Sequence, residues 1–179
     1  NVQALAAGAR LAWPAGAALE AGVFLAPIGP EGMATRDDWN WSRSNLFTTL
    51  PYYHAGARLN LAAGPHTTVT AAVYNGWNNV VDNNGDKSVS LSVSHEVPDR
   101  LTLGATYFGG NERPDGAPEG HPWRSTLDMW VAWHPTARLS LMAHVDFGVE
   151  LNRLGVSRWL AGALYARVRL AEWLHLAAR

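Results

Sequence analysis

Hydrophobic and polar residues alternate one for one along most of this chain, in segments of about nine to thirteen residues, long enough when tilted to cross a bilayer core. In the clearest segment Leu139, Leu141, Ala143, Val145, Phe147 and Val149 share one face, and Ser140, Met142, His144, Asp146, Gly148 and Glu150 share the other. Val89, Leu91 and Val93 oppose Ser88, Ser90, Ser92 and Ser94 in the same way. Towards the end, Leu160, Leu164, Val168 and Leu170 oppose Trp159, Tyr165, Arg167 and Arg169. Near the start, Leu59 and Leu61 oppose His54, Arg58 and Asn60, while Leu19, Val23 and Leu25 oppose Glu20 and Phe24. A period of two residues is that of strands with one apolar and one polar face, not of helices.

The joints between segments are short and long by turns. Short ones fall at Pro14 to Gly16, Gly64 to His66, Pro98 to Arg100, Pro135 to Arg138 and Ala171 to Trp173. Long ones fall at Pro27 to Tyr52, Asn78 to Asp86, Asn111 to Arg124 and Leu151 to Ser157. An up-and-down barrel with tight turns on one rim and loops on the other has this rhythm, as outer-membrane barrels do. The expected fold is therefore all-β: a single domain over residues 1–179, forming about ten strands of an incomplete, larger antiparallel transmembrane β-barrel. The tenth strand runs only from Leu174 to Arg179, where a barrel of this kind would end on an aromatic residue, so the wall is expected to continue beyond it.

Composition narrows the classes. The formal net charge is −1 and cysteine is absent, which gives no basic surface for nucleic acid, no disulfide framework and no thiolate metal site. No run of about eighteen apolar residues exists, which excludes a spanning helix. Asn1 opens the chain without a charged and apolar leader, so a signal peptide is expected upstream or already removed. The tryptophans fit a membrane wall: Trp13, Trp133 and Trp173 fall near the short-turn rim, and Trp77, Trp123, Trp159, Tyr107, Phe108 and Phe147 near the other, as aromatic girdles would.

The first long joint carries a motif. Gly22 to Pro30 is followed by Asp37-Asp38-Trp39-Asn40-Trp41-Ser42-Arg43-Ser44, then Leu46-Phe47 and Pro51-Tyr52-Tyr53-His54-Ala55-Gly56-Ala57-Arg58. With Tyr74-Asn75-Gly76-Trp77-Asn78-Asn79-Val80, Asp82-Asn83-Asn84-Gly85-Asp86-Lys87, Tyr107-Phe108-Gly109-Gly110 and Trp123-Arg124, this resembles the OmpL-like putative beta-barrel porin family over nearly the whole chain. Asp38 stands where Asn is usual in the motif, and Trp41 where Tyr is usual. The resemblance implies a porin-like barrel in a bacterial outer membrane. It does not specify a solute.

A porin passes small hydrophilic solutes passively, and its polar face lines the lumen. Alternation places Arg10, Glu20, Arg58, Asn60, Glu96, Asp128, His144, Asp146, Arg167 and Arg169 inward, with both signs present, which predicts weak selectivity. The long joint from Pro27 to Tyr52 is expected to fold towards the lumen as a constriction presenting Arg36, Asp37, Asp38 and Arg43; the alternative is that Trp39 and Trp41 only pin it to the rim. The expected partners are outer-membrane lipids and small hydrophilic solutes, without nucleic acid, and a homo-oligomer stays open. No cofactor, catalytic residue or metal ligand is assigned, although Asp82 to Asp86 has the oxygen-rich look of a calcium loop without its spacing. His144 and Asp146, two residues apart on one strand, are about 7 Å apart along it and too distant for a direct bond. Two other classes compete: a soluble or membrane β-barrel that binds or adheres, and, behind it, a barrel-embedded lipid-modifying enzyme, for which no Ser–His pair is readable.

Overall fold

The computed structural model describes residues 4–12 and 16–179. Trp13, Pro14 and Ala15, and with them most of the first short joint, lie outside the described residues. Ten strands are present: β1 (Leu5–Leu11), β2 (Ala17–Leu25), β3 (Tyr53–Ala62), β4 (Thr67–Tyr74), β5 (Ser88–Val97), β6 (Leu101–Asn111), β7 (Trp123–Trp133), β8 (Leu139–Asn152), β9 (Gly155–Ala171) and β10 (Leu174–Ala178). They form one sheet in sequence order, each antiparallel to the next. Among the described residues β1 and β10 are not paired with each other, so the sheet is an open arc. Among the described residues no helix is long and apolar enough to cross a membrane, and the only α-helix, α1, spans Asn45–Thr49.

Burial runs opposite to that of a water-soluble sheet. Leu91, Leu160 and Leu164 stand 51%, 74% and 75% exposed on the outer face, while Thr126, Asp128, Asp146 and Glu150 on the inner face are almost fully buried. Charged side chains are rarely buried so completely without partners, whereas an exposed apolar band is what a lipid-facing wall needs. At Asp128 and His144 the 26–52 loop, hereafter L1, lies against the inner face.

Two expectations need correcting. The stretch from Leu151 to Ser157 is no long loop. Asn152 still pairs with Gly155, leaving Arg153 and Leu154 as a tight turn, and Gly155 takes the positive φ of 139° that L side chains rarely adopt. Strands β8 and β9 accordingly reach 14 and 17 residues, longer than the expected segments. Nor do all the loop-rim aromatics form a girdle. Trp123, Tyr107 and Phe147 do face outward, and Trp123 Nε1 donates to the Tyr107 hydroxyl at 3.2 Å. Trp159 instead faces inward over Gly148, its cross-strand partner, where an added Cβ would collide with the indole. Phe108 is fully buried, with the Trp77 ring edge-on to it at 5.5 Å. An inner face covered by a loop needs apolar filling, and these three rings supply it.

The outward face can be tested with one charge. Val93 lies near the middle of β5, between Val69 and Ala105 on the neighbouring strands. Val93→Arg is expected to destabilise the protein in lipid by about 2–4 kcal/mol, as a cation at the bilayer midplane does. Ser94→Arg, on the inner face of the same strand, is expected to change stability by less than about 1 kcal/mol. Denaturant unfolding in liposomes reads the difference.

Candidate functional site

L1 enters after β2 and leaves before β3, its neck closed by the Ala26 amide donating to the Tyr52 carbonyl at 3.0 Å. Directly inside, Ile28 and Leu50 pack with Phe24, Ala72, Tyr74 and Phe108 of the wall. The Thr106 hydroxyl donates to the Pro27 carbonyl, and the Gly29 amide donates to Asp128 Oδ1, both at 3.0 Å. Gly29 has a φ of +78°, and a Cβ there would press on His144 Cε1 at 3.3 Å, so the close approach of backbone to wall depends on glycine. Buried Glu31 accepts from the Ser44 amide at 3.0 Å through each oxygen and from the Ser44 hydroxyl, while Ser44 caps α1 through Phe47. Arg179 also donates to Glu31, at 3.1 Å, and to the Ser42 carbonyl, at 2.8 Å.

The loop continues to the opposite rim. Trp39 packs against Ala132, Met142 and Tyr165, its ring 6.2 Å from that of His134, and the Arg167 guanidinium lies over it at 4.8 Å. His134 follows β7 directly, at the short-turn end. L1 therefore runs the height of the inner wall, from one rim to the other.

Of the loop residues expected to face solute, Arg36 and Asp37 do stand free: they sit in the 3₁₀ turn Thr35–Asp37, with side chains 87% and 67% exposed and a 3.5 Å ion pair between them. Asp38 and Arg43 are occupied in bracing the loop. Asp38 Oδ1 accepts from the Gly32 amide at 2.7 Å, and burial pushes its carboxyl above the usual range. Arg43 donates to the Gly32 and Met33 carbonyls and lies 4.5 Å over the Phe47 ring. Trp39 is held inside, and Trp41 is 91% exposed.

The wall residues gather into separate groups. Glu20, Arg58 and Asn60 form a ladder: Arg58 Nε and Asn60 Nδ2 donate to one Glu20 oxygen at 2.7 and 2.8 Å, and Thr70 donates to Asn60. Asp128 and Asp146 are direct partners across β7 and β8, and His144 Nε2 reaches Asp128 Oδ2 at 2.5 Å and Asp146 Oδ1 at 3.3 Å. The expected separation of His144 and Asp146 is thus wrong, because strand rise sets the distance between Cα atoms and two long side chains can lean together. Glu96, Arg167 and Arg169 line a cavity of about 840 Å³ at the short-turn end, beside Arg100, Arg138 and His175. Arg10 is exposed on β1.

Sequence reasoning missed Gly29 and Glu31, which fix L1; the Pro27-Ile28-Gly29-Pro30 run, apolar and turn-forming inside a polar loop, was the available signal. It also missed Glu150, 1% exposed at the loop rim, where Arg113 and Arg124 each grip one of its oxygens through two nitrogens at 2.7 to 3.0 Å. Hydrogen bonding to Glu150 raises the Arg113 guanidinium further above its usual value. In the oxygen-rich loop, Asp82 pairs with Lys87, whose hydrogen bond holds that carboxyl below the usual range, and the Asn84 side-chain Oδ1 accepts from the Asp86 amide at 2.8 Å. Those oxygens fold the turn. Two hydroxyl–imidazole pairs that the sequence does not reveal also form, Ser140 with His134 and Thr67 with His95, both at 2.9 Å.

The model of a family described as "Putative beta-barrel porin-2, OmpL-like" matches residues 1–179, the whole chain. No curated protein and no solved structure matches it.

The two motif tryptophans separate docking from mere presence in the loop. Trp39→Ala is expected to lower stability by about 2–3 kcal/mol, somewhat below the cost for a fully buried Trp, and to speed tryptic cleavage after Arg36. Trp41→Ala is expected to leave both within about 0.5 kcal/mol of wild type. Equal behaviour of the two variants would contradict the docked position.

Proposed function

The chain belongs to the OmpL-like putative beta-barrel porin-2 family, and on that footing we propose that it forms the wall and constriction of a bacterial outer-membrane channel through which small hydrophilic solutes diffuse passively. The observation that carries this reading is L1, laid along the polar inner face with Arg36 and Asp37 exposed at its tip. In a wide barrel, a loop inside the lumen sets the pore width, and its exposed polar groups meet the solute. Lipid is the partner of the leucine-rich outer face; nucleic acid is not a partner, and association of several copies stays open.

Paired charges add little to the field felt by a passing ion. Glu20 is matched by Arg58 and Glu150 by two arginines, whereas Arg167 and Arg169 border the cavity at the short-turn end. The weak selectivity therefore leans towards anions. Catalysis forms no part of the proposal, since neither hydroxyl–imidazole pair has a carboxylate on its histidine among the described residues.

Single-channel recording of the complete protein tests the channel. Deleting Asp37 to Ser44 is expected to raise conductance several-fold, and unchanged conductance would sink the constriction. In a KCl gradient, the reversal potential of the wild type is expected on the anion side and to move towards zero in Arg167→Gln/Arg169→Gln. Liposomes carrying the protein are expected to swell in small sugars; failure to swell would favour a binding or adhesion module.

A further inference from the structure

We infer that Asp128, His144 and Asp146 form a binding site for one divalent first-row transition-metal ion of the zinc type, placed under L1. The ligating atoms of the three side chains lie within 4.8 Å of one another. All three residues are at most 3% exposed. Both oxygens of Asp146 lack a hydrogen-bond donor. A buried bare carboxylate is costly, and here a second carboxylate stands directly opposite it across β7 and β8. One imidazole can place a proton against only one of those charges at a time. A dication with neutral imidazole would balance both carboxylates and give Asp146 the partner it lacks.

The donor set is chemically specific. One imidazole nitrogen and two carboxylate oxygens supply three protein ligands and leave a fourth position open, an arrangement that suits Zn²⁺ with bonds of about 2.0–2.2 Å. Calcium, which takes about six to eight oxygens, is poorly served. The outer contact is also in place: the Gly29 amide holds Asp128 Oδ1, leaving Oδ2 turned to the imidazole. Support of this kind orients metal ligands. The ion would join β7, β8 and, through Asp128, the first turn of L1, so metal and loop position are coupled. None of this depends on whether the barrel conducts.

The test uses the complete protein in detergent micelles, stripped with chelator and titrated with ZnCl₂ by calorimetry. One saturable site per chain is expected, weakened at least tenfold in His144→Gln and in Asp146→Asn, and unchanged in His121→Gln, whose imidazole is exposed in a loop. Zn²⁺ is expected to slow tryptic cleavage after Arg36 in the wild type but not in His144→Gln. If either variant fails to fold, Co²⁺ bound to the wild type replaces it, with intense visible bands of a four-coordinate ion expected. Absence of saturable binding below about 1 mM, binding unaltered in a folded His144→Gln protein, or Co²⁺ bands of a six-coordinate ion would overturn the site and leave the carboxylates sharing a proton.

Discussion

An apolar band turned outward on a single antiparallel sheet is the constraint from which the rest of this structure follows. A wall in hydrocarbon must satisfy its backbone polar groups within the sheet and turn apolar side chains outward. Strict alternation then forces every second residue inward, where water, a loop or a neighbouring side chain must receive it. The leucines at 91, 160 and 164 meet the first demand, and the Glu20–Arg58–Asn60 ladder meets the second. The same constraint bears on the edges: β1 and β10 carry unpaired ladder groups in the described sheet, and a membrane wall closes only by pairing along such edges.

L1 is the consequence of that inward-facing polarity. Its entry is tied down by apolar packing of Ile28 and Leu50 and by the Gly29 amide on Asp128, and its far end by Trp39 between Tyr165 and the Arg167 guanidinium. Between these anchors, Glu31 gathers Ser44 and Arg179 and so joins the loop to the last strand. Arg36 and Asp37 stay free because neighbours take up the loop's other polar groups. Position and chemistry thus divide within eight residues: Asp38 and Arg43 shape the loop, and Arg36 and Asp37 are left exposed.

Much of the fold was legible because a two-residue period is a property of single strands. Strand β8 could be read from its six alternating pairs, and every short joint that is fully described is a tight connection. The β8–β9 hairpin was misread because polar and glycine residues at Asn152, Arg153 and Gly155 look like loop, while pairing across the sheet carries both strands onward. Trp159 and Phe108 were misplaced because girdle residues and inner filling share a composition. Only the partner across the sheet separates them, as Gly148 does for Trp159. The inward residues were identified one by one, but their grouping was not, since Asp128 meets His144 through register between strands. Lateral pairing is invisible to periodicity along one strand.

Cysteine is absent from the chain, so paired cysteines report on L1 without background. The most direct measurement is cross-linking of Asn40→Cys, which leaves the Trp39 anchor in place, with His134→Cys by a flexible thiol-bridging reagent in native membranes, read as a shift in gel mobility. L1 running down the inner wall to the short-turn rim predicts an efficient bridge. A loop resting on the opposite rim, across an apolar band about 25 Å tall, would give none, and that result would contradict the account.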